Sequence, residues 1–162
     1  MNREQITVLG IGNILIRDDG AGIKALESLK RYTFPENVRL IDAGTTIYHN
    51  MNIMTESDKL LVLDAVKLDG KPGTIYSFTP EEFRIKLPRK ANSHDVGLLE
   101  ALSTLTLIEE EPPETVIIGI QPLDYSSWGE ELTDEVNKGL PMMIEKALKQ
   151  LKDWGIEPQN KL

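Results

Sequence analysis

The chain has 162 residues, 40% hydrophobic and 27% charged, which suits one globular domain with a substantial core. Its 18 basic and 26 acidic residues leave a net charge of −8, so nucleic acid and anionic membrane surfaces are excluded as expected partners for want of a basic stripe. Cysteine is absent, which removes disulfides, thiolate metal sites and a cysteine nucleophile. No stretch reads as a signal peptide or membrane span, and a cytoplasmic location is expected.

The elements alternate between strand and helix. Ile6–Gly12 is apolar and β-branched, as for a strand buried on both faces, and Ile23, Ala25, Leu26 and Leu29 place a helix over roughly 20–32. Val38–Asp42 is a second strand, and 47–54 has the character of a short helix. Lys59–Val66 is a third strand. After the turn Gly70–Gly73, the alternating run 73–78 follows too closely for a crossover, which predicts an antiparallel edge strand. Residues 79–92, with Pro80, Pro88 and several basic residues, read as a loop. His94–Leu107 has helical spacing, 109–114 is an acidic turn, and Thr115–Ile120 is the last strand. A long amphipathic helix follows over about 130–152, with Leu132, Val136, Leu140, Ile144 and Leu148 four apart and a kink or restart expected at Pro141. Residues 158–162 read as a frayed end. No repeat or second domain is evident, and the pattern is that of an α/β fold with a mostly parallel sheet.

Three acids cluster at strand ends in this reading. Asp18 and Asp19 follow the first strand and Asp64 closes the third, so they stand at the carboxyl edge of the sheet, where ligands collect in open α/β folds. His94 opens a later helix and can reach the same edge. Carboxylate oxygen and imidazole nitrogen suit a divalent ion such as zinc or nickel, with open positions left over. Plainer roles exist for each residue: Asp18 as a helix cap, Asp42 and Asp64 as loop caps, His49 as a surface histidine.

Two other readings meet obstacles. Gly10-Ile11-Gly12 begins a dinucleotide fingerprint, but position 15 is leucine and the two aspartates would repel a pyrophosphate. Acids after strands one and three also describe a phospho-accepting receiver domain with Asp64 as acceptor. That site needs a lysine after the last strand, where Gln121-Pro122 stands instead.

Taken in order, Leu9–Asn13, Asp18–Gly22, Asp42–Thr46, Leu63–Val66, Ser93–Asp95, Gly119–Pro122 and Trp128–Thr133 resemble the nickel–iron hydrogenase maturation endopeptidases over about residues 5–150. The resemblance implies a three-layer α/β sandwich with a twisted, mostly parallel five-stranded sheet. It also implies a single activity, the removal of a C-terminal extension from the hydrogenase large-subunit precursor after nickel insertion. The family's metal-binding positions carry over to Asp19, Asp64 and His94. The first is glutamate in many members and is one methylene shorter here. Gly44 and Thr45 match a segment near the family's cleft.

On this reading the nickel is presented by the precursor, and other divalent ions can take its place in vitro. Asp19, Asp64 and His94 are the candidate catalytic and metal residues, with Asp18 as a possible unligated helper. Hydrolysis would use a carboxylate as general base on water rather than an acyl-enzyme, since no Ser–His–Asp arrangement is apparent. A non-cleaving, metal-dependent checkpoint for the same precursor is the alternative from another class.

Overall fold

The computed structural model describes residues 3–88, 93–108 and 112–161. In chain order the elements are β1 (Ile6–Ile11), α1 (Ala21–Leu29), β2 (Tyr32–Thr33), β3 (Val38–Gly44), α2 (Met51–Thr55), β4 (Lys59–Ala65), β5 (Ile75–Phe78), α3 (Pro80–Lys86), α4 (Ser93–Ile108), β6 (Glu114–Ile120), α5 (Asp134–Asp153) and β7 (Gln159–Asn160). Single 3-10 turns at Arg17–Gly20 and Ile47–Asn50 lead into α1 and α2.

Five strands make one sheet in the order β3-β1-β4-β6-β5. The pairings β1–β3, β1–β4 and β4–β6 are parallel, and β5 lies antiparallel on β6 as the edge strand. Every residue of β1 is buried, and six of the seven in β4, because helices cover both faces and leave no side for polar residues. Alternate side chains divide the core in two. Ile6, Val8, Leu61, Leu63 and Ile118 pack with α1 and α5, while Leu9, Ile11, Leu60, Val62 and Ile117 pack with Phe83 of α3 and Leu98, Ala101 and Leu105 of α4. A β-carbon on Gly22 would lie 2.3 Å from the carbonyl oxygen of Leu63 and 2.5 Å from that of Ile11. Only glycine therefore lets the start of α1 settle onto β1 and β4.

Four departures from the sequence reading have identifiable physical causes. The expected loop at 79–92 contains α3, whose first turn is closed by a capping box: Glu82 N–H donates to Thr79 Oγ1 at 3.2 Å and Thr79 N–H to Glu82 Oε1 at 2.9 Å. Pro80 occupies the first helical turn, where its missing N–H costs nothing, so it marks a start rather than a break. The rest of that expectation, at 89–92, lies outside the described residues, as do 109–111 of the expected acidic turn. The final helix begins at Asp134 rather than near 130 and runs through Pro141 as one element. Its buried stripe is Val136, Met143, Ala147 and Leu151, with Leu132, Leu140, Ile144 and Leu148 only partly covered. A row of residues four apart drifts by ~40° per step around a helix and cannot stay on one face.

The chain end is the last departure. Where fraying was expected from 158, Gln159 and Asn160 pair antiparallel with Thr33 and Tyr32, and Lys161 N–H donates to the Arg31 carbonyl at 3.0 Å. Among the described residues no helix is long and apolar enough to cross a membrane.

Candidate active site

After β1 the chain crosses to β3 on one side and then returns to β4 on the other, so β1 and β4 flank the point where strand order reverses. Their carboxyl ends open the crevice in which such sheets hold ligands. Asp64 lies within β4 at that end. Asp19 stands in the 3-10 turn that follows β1, and His94 in the first turn of α4.

The backbone between β1 and α1 is held tightly. Gly12 has φ 140°, and a β-carbon there would sit 2.0 Å from the Asp19 carbonyl oxygen, so a side chain at position 12 would displace the site. Arg17 takes φ 35°, a left-handed conformation rare for a long side chain. It is fixed by contacts on both ends: its N–H donates to Gly129 O at 2.8 Å and its Nε–H to Glu131 O at 3.0 Å. In return Gly129 N–H donates to Leu15 O at 2.8 Å, which ties the loop after β1 to the loop after β6.

Asp18 makes the same connection from within. It is fully buried, and its two oxygens accept from Leu123 N–H and Asp124 N–H, each at 2.9 Å, from Thr133 N–H at 2.7 Å and from the Thr133 hydroxyl at 2.8 Å. The Thr133 side chain is thereby spent on Asp18 and not on capping α5. Asp18 is a knot between two loops, and none of its hydrogen-bond partners belongs to the cleft.

Asp19, Asp64 and His94 do come together. His94 Nε2 lies 2.9 Å from Asp19 Oδ1, and the other Asp19 oxygen accepts from Asn13 N–H at 3.1 Å. His94 Nδ1 lies 3.5 Å from Asp64 Oδ2 and 3.2 Å from Oδ1 of Asp95, a residue sequence reasoning passed over although it stands next to the histidine. The imidazole is thus ringed by three acids, with Asp19 on one nitrogen and Asp64 and Asp95 on the other. Burial alone would push the imidazole down, but the carboxylates of Asp19, Asp64 and Asp95 outweigh it and hold His94 well above the ordinary histidine value. Burial, and then the charge of Asp95, push Asp64 well above the usual carboxylate range, with His94 opposing.

Beside this group a groove runs along Gly12, Asn13, Ile14, Leu15, Gly44 and Thr45. Gly44 has φ 57°, and its N–H donates to Asp42 Oδ1 at 2.8 Å, so Asp42 caps the loop that follows β3. His49 is exposed, at the end of the 3-10 turn before α2.

Fold and cleft together describe an α/β protein with a carboxylate–imidazole site at its strand-order reversal. Comparison with known proteins narrows this. The family model for hydrogenase maturation proteases matches residues 23–150. The chain is 37% identical to the hydrogenase expression/formation protein HupD of Bradyrhizobium diazoefficiens, over 94% of this chain and 80% of that one. It is 32% identical to the hydrogenase 2 maturation protease of Escherichia coli, over 94% of each. The solved structure of the hydrogenase maturating endopeptidase HybD from Escherichia coli superposes with a TM-score of 0.88 at 29% identity, over 97% of this chain and 98% of the other. The chain belongs to the hydrogenase maturation protease family, and it is a peptidase.

Proposed function

We propose that this peptidase removes a C-terminal extension from the large-subunit precursor of a nickel–iron hydrogenase after nickel has been inserted. The observation that carries the reading is the imidazole of His94 set among buried carboxylates at the carboxyl edge of the sheet. The nickel belongs to the precursor and is part of the substrate. Asp19, Asp64 and His94 form the group that recognises it, and carboxylate oxygen with imidazole nitrogen is a donor set that suits nickel and also zinc. A precursor without nickel lacks the bridging ion and binds weakly, which makes metal insertion the checkpoint for cleavage.

With the ion gripped, the chain on its C-terminal side lies along the groove bounded by Gly44 and Thr45. The ion polarises the scissile carbonyl, and a carboxylate of the cleft takes the proton of the attacking water. Asp18 has no part in this step, since four donors occupy it. In this reading the protein acts in the cytoplasm, with neither nucleic acid nor membrane as partner.

The test is to incubate the protein with nickel-loaded and nickel-free precursor and follow precursor mass. Loss of a C-terminal fragment from the loaded sample alone is expected. Equal cleavage of both samples would remove the checkpoint, and no cleavage of a cognate loaded precursor would overturn the reading.

A further inference from the structure

Ten large hydrophobic side chains are exposed among the described residues, and six of them stand at the carboxyl edge of the sheet. Ile14 and Leu15 lie in the loop after β1, Tyr48 in the 3-10 turn after β3, Val96 in the first turn of α4, and Leu123 and Trp128 in the loop after β6. The other four lie on α3, the far end of α4 and α5. Single exposed apolar residues are ordinary, but a concentration around one crevice marks an interaction surface. Trp128 is the extreme case: it is 79% exposed, so its indole contributes little to the core.

The loops that carry these side chains are fixed in advance. Ile16 and Gly129 form a parallel bridge, so Leu15 and Trp128, each one residue earlier, stand beside one another. Leu123 N–H donates to the buried Asp18, and Arg17 is bonded to Gly129 and Glu131. On the opposite rim the Tyr48 hydroxyl donates to Glu100 of α4 at 2.7 Å. Apolar groups held in place before binding lose little freedom when they are covered.

Two features select the occupant. The strands β3, β1, β4 and β6 are successive neighbours, so the apolar rim reaches across roughly 14 Å at about 4.8 Å per strand. One extended chain fills about one such spacing, so a tail lying in the groove at Gly44 and Thr45 leaves Leu123 and Trp128 uncovered. A second copy seated on the rim would close the crevice over Asp19, Asp64 and His94, and a peptidase cannot work with its cleft shut.

We infer that the apolar collar of Ile14, Leu15, Leu123 and Trp128 is the docking surface for the folded body of the precursor, at an apolar face beside its ion. The precursor is then read twice, its ion by the cleft and its folded surface by the collar. Trp128 is the anchor of the second reading and takes no part in the chemistry. The identity of the partner rests on the proposed function.

The chain has two tryptophans, so the protein labelled with 5-fluorotryptophan gives two fluorine resonances, which Trp154→Phe assigns. On addition of nickel-loaded precursor, the Trp128 resonance is expected to shift while that of Trp154 stays in place. Processing kinetics give a second readout. Trp128→Ala is expected to raise KM by about tenfold to a hundredfold with kcat unchanged, because it removes binding shared by ground and transition states. Its melting profile should match wild type, and Met142→Ala, an exposed control on α5, should change neither constant. An unchanged KM for Trp128→Ala, or an unmoved Trp128 resonance with a precursor that is cut, would overturn the docking surface and leave the proposed function standing. A Trp128 shift with protein concentration alone, together with a dimer in sedimentation, would overturn it in favour of self-association. A Trp128 shift with a loaded precursor that is never cut would instead bring down the proposed function and leave the collar in place.

Discussion

Asp18, in the turn after β1, and Asp64, near the end of the neighbouring β4, are both 0% exposed, yet they are opposites in their hydrogen bonding. Asp18 accepts four hydrogen bonds from the loop after β6, while neither oxygen of Asp64 has a partner. Burying a charge is costly unless donors replace the lost water. Asp18 meets that condition and contributes to the fold. Asp64 does not, and on the proposed function the stability it sacrifices is the cost of a site built to meet a cation. Burial alone does not separate a structural acid from a functional one; the count of donors does.

The largest effect should come from the cleft. His94→Ala is expected to abolish precursor processing while leaving the circular dichroism spectrum and melting profile close to wild type, because the imidazole lies at the crevice and not in the apolar core. Normal processing by that variant would dissolve the functional side of the contrast.

Next comes the structural side. Asp18→Asn replaces one oxygen by an amide NH2 that must face backbone N–H groups, leaving buried donors unmatched. A loss of about 2–4 kcal/mol is expected in chemical denaturation. An Asp18→Asn protein of wild-type stability that still binds loaded precursor but does not cut it would move Asp18 from the fold to the chemistry.

Asp64→Asn should run the other way. It is expected to raise the stability of the metal-free protein by about 1 kcal/mol while ion binding is lost. The sign with pH follows from Asp64 being pushed up by burial and by Asp95. Its folded form favours the proton, so the wild type loses stability as pH rises from the ordinary value of 3.8 toward the raised one. The advantage of Asn should therefore be small at pH 3 and grow as pH rises above the ordinary carboxylate value, and a pH-independent difference in denaturation midpoint would contradict it.

The smallest effect is an exposed control. Glu82 is held below its ordinary value chiefly by the backbone N–H of Thr79, with the Thr79 side chain adding to this. Its contribution is present above the ordinary glutamate value and fades as pH falls through the lowered one. Glu82→Gln should lower the melting temperature slightly at pH 7 and not at pH 3. An effect as large as that of Asp18→Asn would break the link between burial and magnitude.

Much of this molecule is written locally. Continuous apolar runs at 6–12 and 59–66 mark doubly covered strands, and the turn at 70–73 is too short for a crossover, so sheet class and antiparallel edge were readable directly. The placing of Asp19, Asp64 and His94 on one edge followed from strand ends. The helix at 80–86 was also legible, since Thr79-Pro80-Glu81-Glu82 carries a capping box, but its prolines suggested a loop.

The division of labour among the acids was not legible. Asp18 and Asp19 are adjacent and chemically identical. What distinguishes them is a loop more than a hundred residues away, which brings three N–H groups and a hydroxyl to one carboxylate and leaves the other facing His94. Asp95 was hidden for a related reason: consecutive helical residues point in different directions, and only the docking of α4 against β4 brings the acid and the imidazole to the same side of Asp64. Sequence by itself determined which residues reach the edge, because periodicity and strand ends are local properties. Tertiary structure alone decided which carboxylates receive donors and which are left bare, because a hydrogen-bond partner distant in the chain exists only once the chain has folded.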